Sequence, residues 1–166
     1  PFCISRLFDK GYEKVIYLDP DIFVTASLQP VLDLLENRSM VITPHFNHIE
    51  TEYTGAVSEE EILFVGIYNL GFCAIKNDKI GQKITEWWQS RLAERCYADK
   101  EDALHVDQRW IDFLPAFFPD DVHISHHSGI NIAIWNLHQR ALLIEDQKYK
   151  IKDLIRGKID DLLFFH

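Results

Sequence analysis

Two aspartates one residue apart interrupt the apolar, strand-like run Lys14-Val15-Ile16-Tyr17-Leu18-Asp19-Pro20-Asp21-Ile22-Phe23-Val24. Strand interiors are poor in Asp, and Pro cannot donate to a sheet ladder. Asp19-Pro20-Asp21 therefore marks where a buried strand ends and emerges. In an extended segment the side chains at i and i+2 project to one side, so one divalent cation can meet both carboxylates. A plain strand-ending turn uses the same residue types, and the spacing alone leaves both readings open.

A chain of 166 residues suits one domain with a sizeable core. Its 47% hydrophobic and 13% aromatic content argues for a globular fold and against disorder. A net charge of -9 repels phosphate backbones, which argues against nucleic acid as a partner. The cysteines Cys3, Cys73 and Cys96 are odd in number and too far apart for a zinc motif or a disulfide framework. They point to a reducing, cytoplasmic setting. The sequon Asn37-Arg38-Ser39 stands alone, without other signs of a secretory route.

The longest apolar stretch, Ile62 to Ile75, is broken by Gly66, Tyr68, Asn69 and Gly71 and is too short to span a bilayer. No membrane span or signal peptide is expected in these residues, which leaves membrane association to regions outside them. The chain starts at Pro1 and stops within the apolar Leu162-Leu163-Phe164-Phe165-His166, which reads as an incoming strand. Domain ends are usually polar, so residues 1–166 are expected to form a single partial domain, truncated at both ends.

Phe2 to Lys10 has helical spacing with Gly11 as a stop, and a strand follows from Lys14 to Leu18. Leu28 to Glu36 reads as a short helix and Met40 to Thr43 as a strand. Pro44 to Glu60 reads as a surface loop leading to a helix opened by Ser58 with Glu61 three residues on. A strand is expected from Ile67 to Ile75, and an amphipathic helix from Asp78 to Arg95 with Asn77 or Asp78 as cap. His105 to Leu114 reads as a helix ending before Pro115. Final strands are expected at Ile132 to Leu137 and Leu162 to Phe165. This alternation of helix and strand suggests an α/β sheet.

Several other motifs carry weaker chemistry. Gly66 and Gly71 have Walker-like spacing, but Phe72 and Cys73 stand where Lys and Ser or Thr are required, so this is not a phosphate loop. His45-x-x-His48 lacks acidic or Cys partners and reads as polar surface. His123, His126 and His127 match no ligand spacing and read as surface or hydrogen-bonded histidines. Trp87 and Trp88 read as core anchors before they read as a sugar-stacking platform.

Taken in order, Tyr17-Leu18-Asp19-Pro20-Asp21, Tyr68-Asn69-Leu70-Gly71-Phe72, Val106-Asp107-Gln108 and the late Phe164-Phe165-His166 resemble the GT-A glycosyltransferases related to family 8, together with bacterial relatives similar around Trp135-Asn136-Leu137-His138. The resemblance implies a mixed sheet flanked by helices that lacks the first βαβ portion of that fold. It implies a metal site of Asp19, Asp21 and His166 holding manganese, with magnesium tolerated, against the diphosphate of a nucleotide-sugar. His166, as the last residue, is expected to fray.

The resemblance further implies that Tyr17, Asp19, Asn69 and Gly71 line the donor. Asp107 binds sugar hydroxyls, and Gln108 lies near the reacting anomeric carbon. The implied reaction moves a hexose to an unidentified glycan, lipid or protein acceptor with retention of configuration. Loss of the nucleoside diphosphate builds negative charge that a divalent cation neutralises as a Lewis acid. A metal-dependent nucleotidyl or phosphoryl transferase could use the same two aspartates. A carbohydrate-binding module built on Trp87, Trp88 and Trp135 is the non-catalytic alternative.

Overall fold

The computed structural model describes all residues from Pro1 to His166. In chain order the elements are α1 (Phe2–Asp9), β1 (Lys14–Leu18), β2 (Phe23–Val24), α2 (Gln29–Leu34), β3 (Met40–Ile42), α3 (Glu59–Val65), β4 (Phe72–Lys76), α4 (Lys79–Leu92), β5 (Ala98–Asp99) and β6 (Leu104–His105). A 3-10 turn at Arg109–Phe113 leads into α5 (Leu114–Phe117) and β7 (Val122–Ile124). A second 3-10 turn at Leu137–Gln139 precedes β8 (Arg140–Glu145), β9 (Lys148–Asp153), β10 (Ile159–Asp161) and β11 (Phe164–Phe165).

The central sheet runs β1-β4-β3-β7, antiparallel except for the parallel β3 and β7 pair. Both of its faces are covered, which is why β3 and β4 read as nearly unbroken apolar runs. Along them the pleat sends Met40, Ile42, Cys73 and Ile75 into a core closed by Ile4, Phe8, Ile84 and Trp88. Val41, Phe72 and Ala74 go to the opposite core with Val31, Leu35, Ile130, Leu163 and Phe164. Helix α4 starts where Asp78 accepts from the N–H groups of Ile80 and Gly81, and α3 where Ser58 accepts from Glu61 N–H.

Several expected elements differ. The strand foreseen at Ile67 to Ile75 begins only at Phe72, because Tyr68 to Gly71 form a turn beside Pro44. Ile132 to Leu137 is no strand: Asn131 sits at φ 57, which turns the chain out of any ladder, and only Ile132 makes an isolated bridge, to Phe165. The helix expected from His105 to Leu114 is absent at its start, where His105 belongs to β6 and a 3-10 turn begins only at Arg109, and it passes through Pro115 into α5, because proline in a first helical turn needs no N–H. Strands β8, β9 and β10 form a separate antiparallel sheet packed through Ile132, Ile151 and Leu162. No helix is long and apolar enough to cross a membrane.

The loop after β3 is pinned rather than loose. Gln139 Oε1 accepts from the N–H groups of Asn47 and His48, and its Nε2 donates to His48 O and Glu50. His45 is not surface either: it is 4% exposed, with Nδ1 near Ile67 O and Nε2 near the Asn69 amide. His48 pairs instead with Asp153, so the two histidines share no ligand position.

Burial pushes the His45 imidazole from its ordinary 6.5 down to about 4. The unfolded chain therefore takes up this proton first, and the folded state loses stability as pH falls from 6.5 to about 4. The loss should reach roughly 3 kcal/mol at about 1.4 kcal/mol per unit. Urea denaturation between neutral and acid pH should show it, and His45→Gln should flatten that limb; an unchanged slope in the variant would assign the proton elsewhere.

Candidate functional site

Strand β1 ends at Leu18, and Asp19 N–H then donates to Gly71 O at 2.8 Å, holding the strand tip against the turn before β4. The Pro20 and Asp21 turn leads into β2, which pairs antiparallel with β11 in the register Phe164 to Val24 and Phe165 to Phe23. That pairing carries the end of the chain to the Asp19-Pro20-Asp21 turn. Contrary to the expected fraying, His166 N–H donates to Ile132 O at 2.8 Å and its side chain is only 10% exposed.

Asp19, Asp21 and His166 present ligand atoms that all lie within 4.8 Å of one another. His166 Nε2 is 3.8 Å from Asp19 Oδ2 and 3.4 Å from Asp21 Oδ1. Two carboxylates and one imidazole form a hard, oxygen-rich donor set with one nitrogen. It suits manganese and tolerates magnesium better than it suits zinc or copper. The residues present thus fit the cation that the sequence resemblance implies.

The Tyr17 hydroxyl donates to Asp19 Oδ1 at 2.5 Å, and this bond, with burial and the Asp19 charge adding to it, raises the phenol above its ordinary range. Tyr17 and Asp107 both line a hollow of about 520 Å³ whose apolar wall includes Ile4, Trp88 and Leu92. Asp107 is half-buried, and burial pushes its carboxyl upward, with the Asp19 charge acting in the same direction. Trp88 Nε1 donates to Asp107 O at 3.0 Å, so the tryptophan fixes the backbone that bears the carboxylate. Just before it, Val106 sits at φ 39, an uncommon conformation for a β-branched residue.

Gln108 is 8% exposed, and both ends of its amide are engaged. Its Oε1 accepts from Leu70 N–H at 2.9 Å, and its Nε2 donates to Val65 O at 2.9 Å. It acts as a strut between α3 and the Asn69-Leu70 turn. Asn69 is buried, with Oδ1 accepting from Gly71 N–H at 3.2 Å. Gly71 backs directly onto the His166 ring: a Cβ there would fall 2.1 Å from His166 Cε1.

Two residues that the sequence reading did not assign to the site also meet here. Asn131 bonds to both Asn69 and His166, and Trp135 packs edge-on between the His45 and His166 rings at 5.5 and 5.1 Å. An asparagine inside Ile130-Asn131-Ile132 is a polar break in an apolar run, the same kind of signal that Asp19 gives in β1. Trp87, Trp88 and Trp135 do not form one aromatic platform. Trp88 is 3% exposed, Trp87 packs against Trp110 and Phe113, and Trp135 lies between the histidines. His123, His126 and His127 join no ligand cluster, and the group at Asp19, Asp21 and His166 is the one such cluster in the chain.

No protein-family model matches the chain. No curated protein matches it. Among solved structures it is similar to a glycosyltransferase involved in the glycosylation of the major capsid of PBCV-1, with a TM-score of 0.54 at 14% identity. The match covers 79% of this chain and 58% of that one. The mixed α/β sheet flanked by helices is thus a glycosyltransferase-like fold of the GT-A kind.

Proposed function

We propose that residues 1–166 belong to the catalytic domain of a metal-dependent glycosyltransferase, one that moves a hexose from a nucleotide-sugar to a glycan, lipid or protein acceptor. The observation that carries this reading is the convergence of Asp19, Asp21 and His166 from distant parts of the chain onto one point at the tip of β1. The glycosyltransferase-like fold supports it, and the family 8 resemblance adds retention of configuration. The free thiols of Cys3, Cys73 and Cys96 agree with a reducing, cytoplasmic setting.

In this reading Asp19, Asp21 and His166 hold manganese or magnesium, which when bound would supply positive charge against the departing diphosphate. Tyr17 orients the Asp19 carboxylate through its hydroxyl. Asp107, facing the same hollow as Tyr17, takes sugar hydroxyls. Gln108 and Asn69, whose amides are tied to backbone groups, set the wall beside the anomeric carbon. The close approach of Gly71 leaves the His166 ring its place.

Calorimetry of nucleotide-sugars with and without manganese tests this reading. Binding should require the metal, and Asp21→Ala, which touches only a 74% exposed carboxylate, should abolish it without loss of thermal stability. Metal-independent sugar binding that survives Asp21→Ala would overturn the proposal. Anomeric inversion in the product, followed by NMR, would remove the retaining mechanism alone.

A further inference from the structure

We infer that Asn131 is a positioning residue that locks His166 in its Nδ1–H tautomer and so turns a bare Nε2 lone pair toward Asp19 and Asp21. The metal-binding consequence rests on the proposed function, whereas the tautomer itself does not. Which nitrogen of a neutral imidazole carries the proton is set by what the other atoms of the site accept or donate. Here a chain of bonds settles the matter, and it begins at backbone groups whose roles are fixed.

Gly71 N–H can only donate, and it donates to Asn69 Oδ1, so the oxygen end of that amide is assigned. The opposite end agrees: Asn69 Nδ2 faces Gln108 Oε1 at 3.5 Å, an oxygen already identified by the Leu70 N–H it accepts. Asn131 Nδ2 donates to Asn69 Oδ1 at 3.1 Å, which leaves Asn131 Oδ1 facing His166 Nδ1 at 2.9 Å. A carboxamide oxygen only accepts, so the proton sits on Nδ1. Nε2 then offers its lone pair to the space it shares with the two carboxylates.

The surroundings prevent the ring from escaping this arrangement. Asn131 is fully buried, its φ of 57 is one that Asn tolerates better than most residues, and its carbonyl accepts from Asn136 Nδ2 at 2.8 Å. On its flanks the ring meets Gly71 and the edge of Trp135. Such outer hydrogen bonds to metal-binding histidines typically govern about 10- to 100-fold in metal affinity. Free imidazole side chains favour the opposite, Nε2–H form, so the tautomer is a distinctive readout.

The test is nitrogen-15 NMR of the histidine rings in the full chain at mildly alkaline pH, combined with Mn2+ titration followed by EPR. In the wild type, His166 Nδ1 should be protonated and Nε2 bare. Asn131→Gly, which suits the backbone angle but removes the acceptor, should give mixed tautomers and bind Mn2+ about 10- to 100-fold more weakly. Asn131→Asp keeps an oxygen acceptor for Nδ1 while giving up the Nδ2 donor to Asn69, and should keep the Nδ1–H form. A wild-type His166 in the Nε2–H form, or an Asn131→Gly variant that retains Nδ1–H, would overturn the lock. The wild-type spectrum decides this even where a variant fails to fold. An intact tautomer with no Mn2+ binding would confirm the lock and reject the metal reading of the site.

Discussion

Gly71→Ala should cost the protein its Mn2+ affinity while leaving the fold in place. Gly71 does not sit at positive φ, so its backbone accepts alanine; the difficulty is the space around it. A Cβ there would meet His166 Cε1 at 2.1 Å, His166 Nδ1 at 2.7 Å and Asn69 Oδ1 at 3.0 Å. The backbone of Gly71 is tied down on both sides, through Asn69 Oδ1 and through the Asp19 N–H that its carbonyl accepts. The imidazole must therefore yield. Rotating it breaks the bond to Asn131 and moves Nε2 away from both carboxylates.

The expected result is a weakening of Mn2+ binding of at least about 10- to 100-fold, the range for loss of an outer hydrogen bond to a metal-binding histidine. Stability should fall by about 1–3 kcal/mol, the usual cost of an inserted methyl, because the clash is relieved by a ring outside the hydrophobic clusters rather than within them. EPR titration gives the affinity and urea denaturation the stability. Unchanged Mn2+ affinity would mean that His166 is not a ligand. Loss of affinity together with wholesale unfolding would instead place Gly71 in the structural core.

What the sequence revealed of this site followed from polar residues in apolar surroundings. Asp19 and Asp21 were visible because carboxylates do not belong in a strand, and Ser58 and the Asn77 or Asp78 pair because caps have few alternative uses. Asn131 gave the same signal but lay just before the strand expected from Ile132 to Leu137 and was assigned no role. Its left-handed φ is a property of the packed chain, and no local residue pattern announces it.

The β8-β9 hairpin escaped for a different reason. Its two-residue turn, Asp146-Gln147, has φ of 50 and 63, the mirror-image turn that usually advertises itself with Asn-Gly or Asp-Gly. Gln at the second position hides it. The apolar residues Leu142 and Ile144 face outward at 57% and 67% exposure, so the alternation that marks a half-buried strand is blurred. The Gln108 strut was likewise invisible, because the resemblance placed that residue beside the sugar and only the packed structure shows both amide ends engaged with backbone.

The sheet that went unread in sequence nonetheless supports the site, and Asp153→Ala should expose the dependence. Asp153 is 2% exposed. Its Oδ2 accepts from His48 Nε2 at 2.7 Å and from Ser128 Oγ at 3.4 Å, and its Oδ1 from the N–H groups of Ile155 and Arg156 at 2.9 Å each. Opposite it in the β8 and β9 register stands Arg140, 4% exposed, whose Nη1 donates to Ser128 O and Ile130 O. Arg140 thereby holds the segment that delivers Asn131 to His166. Burial pushes the guanidinium down to about 10, and the Asp153 charge is the first influence favouring its charged form.

Removing that carboxylate takes away a charge that favours the buried Arg140 cation and leaves four donors without an acceptor. A destabilisation of about 1–3 kcal/mol is the expected cost of leaving buried donors unsatisfied. Burial alone would raise the Asp153 carboxyl, but the Arg156 and Ile155 N–H groups and His48 outweigh it and hold it below the ordinary range. Its contribution is therefore present at pH above about 4 and lost as pH falls below that. The variant should lack this acid limb while keeping the one due to His45. Urea denaturation across pH reads both, and Mn2+ titration of the folded fraction should show weakened binding through the loosened Asn131. A stability loss under about 1 kcal/mol would mean that Arg140 is satisfied without Asp153 and that the hairpin sheet does not brace the site.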